Sequence, residues 1–417
     1  MNTNRREFLK SAVGAASLVS LSSTVPAFLT RAALAADRGS AQRDTVLVVI
    51  QLTGGNDGLN TVVPYENDIY SRARPTLRLT AGQVLKIDPE SGLHPELKAC
   101  KRLYDEGLLS IIQGVGYPNN DRDHGGAMRD WYTAEPGNAG CQTGWLGRAA
   151  DQFCEWPRAD MPAIFVGDMA QPLGVRGEKV IVPTIRSAEQ LAISGGPDVV
   201  AYRQRLLENS ELVRRGESDL LRAVRQRTAA AIVTGERVEG VIRSEGGGGG
   251  YPPFTLAGRL RTVAQVLRAD LGIRIFFTDL GGADPGGFDT HTMQANNHGA
   301  LLAELSESVA AFVADLQRDG LLDRVVVMTF SEFGRTLTES GRHGTNHGDA
   351  QPLFVLGSKI RGGLVGKQPD LSNLVGDAPL HETDFRRVYA TLIEKWLGLP
   401  REGIVEAKFA PLEGVLT

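Results

Sequence analysis

Residues 46–58 read Val-Leu-Val-Val-Ile-Gln-Leu-Thr-Gly-Gly-Asn-Asp-Gly. A short run rich in β-branched residues, followed at once by glycines and polar side chains, describes a buried strand emptying into a tight turn. Such a strand, apolar at nearly every position, must be covered on both faces, as in a parallel sheet wrapped by helices. The residues downstream fit. Pro95 to Glu106 has helical spacing, with Leu97, Cys100, Leu103 and Tyr104 on one face, and the strand Leu109 to Gln113 follows directly. This β…αβ alternation predicts an α/β fold with a mostly parallel sheet sandwiched by helices.

The alternation resumes after residue 250. Helices are expected over Thr255 to Asp270, Ala300 to Gln317 and Asp384 to Trp396, and strands over Ile273 to Leu280, Arg324 to Phe330 and Pro352 to Leu356. Between the two halves, residues 183–250 are rich in Arg, Glu, Leu and Ala, lack strand-like runs and end in five glycines, Gly246 to Gly250. That segment reads as a helical insertion or cap with a flexible connection. The expected organisation is one α/β domain over residues 36–417, interrupted by the insertion.

Composition narrows the function classes. With 417 residues, 42% hydrophobic and 23% charged, the chain can bury a large core and is neither disordered nor coiled coil. A net charge of −4 offers no basic field, so nucleic acid is not an expected partner. Three cysteines are too few for a disulfide scaffold. The first 35 residues have a basic start, a weakly apolar middle and small residues at Ala33 and Ala35, which is an export signal cleaved after Ala35. Arg5 and Arg6, followed by Glu7-Phe8-Leu9-Lys10, resemble a twin-arginine signal, making the translocon of that route an expected partner and a periplasmic or secreted destination the expected one. No later segment is long and apolar enough to span a membrane. In an oxidising compartment Cys141 and Cys154 either pair or remain separate buried thiols.

Polar clusters fall at the ends of the expected strands, where ligands of parallel α/β sheets bind. The first strand runs into Asn56 and Asp57. The strand ending at Leu280 leads through a Gly-rich turn to Asp289 and His291, and the strand ending at Phe330 runs into Ser331, Glu332 and Arg335. A further cluster, His343-Gly-Thr-Asn-His347-Gly348, precedes the last strand. Carboxylates and imidazoles arriving from separate loops are the donors that Zn²⁺ or Mn²⁺ takes. Taken singly, each residue is ordinary turn chemistry; their joint placement at strand ends is what points to a site. Another cluster, Tyr117-Pro-Asn-Asn-Asp-Arg-Asp-His124, follows the strand at Leu109 and offers a nucleophile or ligand in Asp121, Asp123 and His124, or else a helix N-cap.

These motifs together resemble the exported domain-of-unknown-function family 1501. The resemblance rests on the signal, QLTGGNDGLNTVVP, GVGYPN, TGWLGR, GGFDTH, FSEFGRT, HGTNHG and TDFRRVYA, spread from about residue 46 to 397. That family resembles the alkaline phosphatase and sulfatase superfamily, which implies an alkaline-phosphatase-like α/β sheet, one or two divalent metal ions (Zn, Mn or Ca) and a nucleophile that accepts a phosphoryl or sulfuryl group. Carried over by position, Asp57, Asp289, His291, Glu332 and His347 would be the metal ligands. Asp123 stands where many relatives have Ser, Asn346 where an aspartate is usual, and Phe333 where a second ligand often sits. Arg335 would hold the anion bidentately, Asp123 or an activated water would attack, and His124 would move the proton. The function so implied is a periplasmic metal-dependent hydrolase of a small-molecule or glycan phosphate or sulfate ester. Two alternatives stand beside it: a non-catalytic binding protein for an envelope component, and a mutase-type phosphotransferase.

Overall fold

The computed structural model describes residues 45–153, 162–191, 235–236, 238–243, 250–282 and 287–417. The export signal, Cys154 and most of the expected insertion lie outside the described residues; Cys100 and Cys141 are free thiols.

The sheet is built from strands β1 (Val46–Leu52), β2 (Leu109–Gly116), β3 (Ala163–Val166), β4 (Thr184–Ile185), β5 (Ile275–Leu280), β6 (Val325–Phe330), β7 (Gln351–Leu356), β8 (Gly363–Val365) and β9 (Thr383–Asp384). Their order is β8-β2-β7-β6-β1-β5-β3-β4, with β9 also paired to β2. β1 lies between β5 and β6, parallel to both, and Gln51 is level with Asp279 on one side and Phe330 on the other. β7 runs against β2 and β6, so the sheet is mostly parallel with one reversed strand. β4, parallel to β3 at the far edge, lies inside the segment expected to lack strands: a pairing of two residues leaves no pattern to read.

Main helices are α1 (Gly58–Thr61), α2 (Asp68–Ala73), α3 (Lys98–Asp105), α4 (His124–Thr133), α5 (Trp145–Phe153), α6 (Thr255–Arg268), α7 (Gln294–Arg318) and α8 (Phe385–Thr391). The strand period of two divides the core. Val46, Val48 and Ile50 join the cluster containing α3, α6 and α7, whereas Leu47 and Val49 join the cluster containing α4, α5 and α8. Both faces of β1 are therefore roofed by helices, as its unbroken apolar run requires.

One buried ion pair ties the first turn to this core. Asp57 caps α1, accepting from the N–H of Leu59 at 3.1 Å. Arg74, just past α2, closes on the same carboxylate at 2.7 and 3.0 Å with both side chains out of solvent. Burial raises the Asp57 pKa, but Arg74 and His298 more than offset it, and the carboxyl stays below the usual range.

His298 on α7 and His94 pack edge to face beside Asp57. Burial lowers His298 to about 3 and His94 to about 4, against an ordinary value of 6.5. The unfolded chain takes up these protons near pH 6.5 and the folded protein does not. Stability is therefore full above pH 6.5 and falls as pH drops toward about 4, by about 1.4 kcal/mol per pH unit for each ring. His298→Gln is expected to remove about one proton's share of that slope in urea midpoints measured from about pH 4 to 7. An unchanged slope would show that the ring is protonated in the fold.

Candidate metal centre at the carboxyl edge of the sheet

The turn after β1 sits at the centre of the carboxyl edge, and two glycines make its course possible. Gly54 and Gly55 have φ of +115° and +82°. A Cβ on Gly54 would lie 2.4 Å from the Asp289 nitrogen, and one on Gly55 would lie 2.3 Å from the Phe333 ring. Three loops are thereby pressed together. β7 adds a fourth: the amino end of a reversed strand lies at the carboxyl edge of its neighbours, which delivers His347 there. α4, entered from β2, brings His124.

Asp289 is the hub. Its Oδ1 accepts from Arg335 Nη2 at 2.6 Å and lies 3.0 Å from His291 Nε2 and 3.2 Å from His347 Nε2. Its Oδ2 is 3.5 Å from His124 Nε2. Partial burial raises its pKa, but Arg335, with help from His291 and His124, more than offsets this and keeps the carboxyl ionised below the usual range. One donor atom each from His124, Asp289 and His347 falls within 4.8 Å of the others.

The tautomer of His347 is set by the backbone. Its Nδ1 is 2.8 Å from the Arg122 carbonyl, which can only accept, so the proton is on Nδ1. Burial, together with Arg335 and His124, lowers its pKa, so the ring is neutral at pH 7. Nε2 therefore presents a lone pair to Asp289 Oδ1, 3.2 Å away, and to His291 Nε2, 3.0 Å away. An imidazole lone pair and a carboxylate this close need a proton or a cation between them, and His291 Nε2, 3.0 Å from both, stands where it can donate the one or share the other. His124 is oriented by a side chain: Nδ1 donates to Glu332 Oε1 at 2.8 Å, and Nε2 faces Asp289 Oδ2 at 3.5 Å. That hydrogen bond raises the His124 pKa against the opposing effect of burial. A carboxylate behind an imidazole that faces a ligand point is the arrangement by which proteins orient metal-binding histidines. The donor set of nitrogen and carboxylate oxygen fits a divalent cation of the Zn or Mn type.

The structure places several expected site residues elsewhere. Asp57 is consumed by Arg74 and the α1 cap and does not reach the cluster. Glu332 is not a ligand in this arrangement: Oε1 takes the Gly54 N–H and His124, and Oε2 lies 3.0 Å from Ser331 Oγ. Its part is to orient His124. Ser331 accepts from the Gly55 and Asn56 N–H groups and lies 2.6 Å from the Leu52 carbonyl, so its hydroxyl is fully engaged. Asp123 caps α4 through the Gly126 N–H at 3.0 Å instead of pointing a nucleophile at the cluster.

Arg335 is the clearest departure. Its guanidinium is wholly buried and donates to the carbonyls of Gly54, Gly55, Thr345 and Phe288 as well as to Asp289. A guanidinium with no exposed surface, engaged by four carbonyls and Asp289, does not reach a substrate anion in the cleft. It fastens three loops from beneath. Phe333, which stands where relatives often have a second ligand, stacks on His347 with centroids 4.5 Å apart. The Arg122 carbonyl had no signal at all, since every residue carries one.

The cluster opens into a cleft of about 660 Å³, lined on the other side by Met128, Arg129, Tyr132, Met169 and Leu173.

Residues 113–396 match the family described as "Protein of unknown function (DUF1501)". The chain belongs to this family. No curated protein matches the chain. Among solved structures, the DUF1501 chain is similar to the C-terminal periplasmic domain of EptC from Escherichia coli, described in complex with Zn: 9% identity, 77% of this chain and 74% of that one, TM-score 0.35. It is also similar to a putative sulfatase from Bacteroides thetaiotaomicron, at 8% identity over 89% and 73% of the two chains with a TM-score of 0.39. A third is the alkaline phosphatase of the Antarctic bacterium TAB5, at 11% identity over 76% and 92% with a TM-score of 0.32. Likeness of this size assigns no chemistry to the DUF1501 chain. Among its described residues, no helix is long and apolar enough to cross a membrane.

Proposed function

We propose that the protein is an exported, metal-dependent hydrolase of phosphate or sulfate esters, with Asp289, His347, His124 and His291 holding the metal. The observation that carries this reading is the convergence of donor atoms from His124, Asp289 and His347 within 4.8 Å of one another, with Nε2 of His347 turned inward by the Arg122 carbonyl. A bound divalent cation supplies Lewis acidity to an ester oxygen and acidity to a water. The chain's own residues do the rest. Glu332 holds the Nδ1–H of His124 and so keeps that ring in one tautomer and orientation, with Nε2 turned to the metal. Phe333 and Arg335 keep His347 and Asp289 from turning away.

The test is direct. Protein purified without chelators is expected to contain stoichiometric Zn or Mn and to turn over an aryl phosphate or aryl sulfate, with both properties lost in His347→Ala. Because Asp123 and Ser331 are both engaged, neither of these two stands free as a nucleophile, and this favours a second reading: a metal-holding binding protein. Metal without turnover of any ester would select it. Failure to bind any divalent metal would sink both.

A further inference from the structure

With Arg335 sealed beneath the site, the anion of an ester needs another partner, and the cleft contains one cation that fits. His124, Gly125, Met128, Arg129 and Tyr132 all line the cleft. Spacings of four between 124, 128 and 132, and between 125 and 129, put them on one face of α4. Arg129 lies about 7.5 Å along the helix from His124, at about 1.5 Å per residue. Its Nη2 donates to the carbonyls of Ala139, at 2.6 Å, and Cys141, which fixes the guanidinium at the cleft wall. A guanidinium fixed by one nitrogen to the wall of the cleft it lines keeps its charge at one place there and is prepared for an anion.

The rest of that wall is apolar. Met128, Met169 and Leu173 are only partly buried and rest on the core beneath α4. Thioethers and a leucine accommodate an aromatic or acyl group of loose shape. On the opposite side Asp289 and Glu332 contribute negative charge, so an anion entering without a cationic partner would be repelled.

We infer that Arg129 is the specificity-determining residue of this cleft, meeting the charged group of an anionic ester whose apolar aryl or acyl part lies along Met128, Met169 and Leu173. The inference rests on the ester-hydrolase reading for the identity of the ligand, but it has a readout of its own. The probes are phenylphosphonate and methylphosphonate, which carry the anion without a hydrolysable ester. They are titrated calorimetrically into wild type and Arg129→Gln, each Zn-loaded and chelator-treated.

The glutamine removes the charge and keeps a polar side chain at the cleft wall, ending where the Arg129 Nε stands. Phenylphosphonate is expected to bind wild type at least about tenfold more tightly than Arg129→Gln, the worth of one charged hydrogen bond. It should also bind about tenfold more tightly than methylphosphonate, from burial of the ring. Should Arg129→Gln fail to fold, Met128→Asp leaves the guanidinium and its carbonyl anchors in place and sets a carboxylate beside it; it is expected to weaken phenylphosphonate by at least about tenfold. Equal phenylphosphonate affinity in wild type and the variant, or no binding to wild type, overturns the inference. An Arg129-dependent affinity in protein that takes up no metal would sustain the anion site and overturn the metallohydrolase reading instead, so the two fail separately.

Discussion

Arg335→Met is expected to destabilise the protein by about 4 kcal/mol or more and to loosen the site with it. The side chain is fully buried, and four backbone carbonyls from the turn after β1, the Asp289 loop and the loop before β7 depend on its donors. A buried acceptor left without its donor costs about 1–3 kcal/mol, and removing one partner of a buried ion pair costs about 3–5 kcal/mol. The sum is moderated because Asp289 is one-third exposed and regains water. Arg335→Lys should be nearly as damaging, because a single ammonium cannot span five acceptors arranged for a fork. Urea unfolding of the metal-free proteins measures the effect without interference from ligand binding. A stability within about 0.5 kcal/mol of wild type, combined with weakened phosphonate binding, would return Arg335 to the anion-holding role that its sequence position suggested.

Asp289→Asn is expected to weaken divalent metal binding by more than about 100-fold, because it removes the one charge on which three histidines converge. Glu332→Gln should cost less, about 10–100-fold, since that carboxylate acts through His124 and not on the metal. Asp57→Asn is the control: it breaks the Arg74 pair and lowers stability, yet metal content per folded molecule stays at the wild-type level because Asp57 does not face the cluster. Equilibrium dialysis against Zn or Mn with elemental analysis reads all three. Full metal in Asp289→Asn, or a loss in Asp57→Asn as deep as in Asp289→Asn, would mean that the centre has been misplaced.

Much of the scaffold was legible before any coordinates. The apolar run Val46–Leu52 and the runs at Leu109, Ile275, Val325 and Pro352 are all strands, because a β-branched run between glycines has few other ways to bury itself. Helix α7 begins at Gln294, six residues before its apolar face shows, since its first turn packs polar groups such as Gln294 and His298 against Asp57 and Asn56. The direction of β7 was not legible. Strand residues look the same whichever way they run, and only hydrogen-bonded partners set polarity.

The site divides along the same line. Local sequence determined which loops carry chemistry: Asp289, His291, Glu332 and His347 stand in polar turns after or before strands, where backbone exposure and glycine freedom favour them. It could not assign their roles. Asp57 and Asp289 both follow a Gly-rich turn, yet one is neutralised by Arg74 and the other gathers histidines. Arg335 and Arg129 are both arginines near a cluster, yet one lies under three loops and the other lines the cleft. Those outcomes depend on which partners, more than 200 residues distant in the case of Gly54 and Glu332, arrive at the same point. A titratable side chain spends its hydrogen bonds on whatever it meets first when buried, and only the tertiary structure decides what that is.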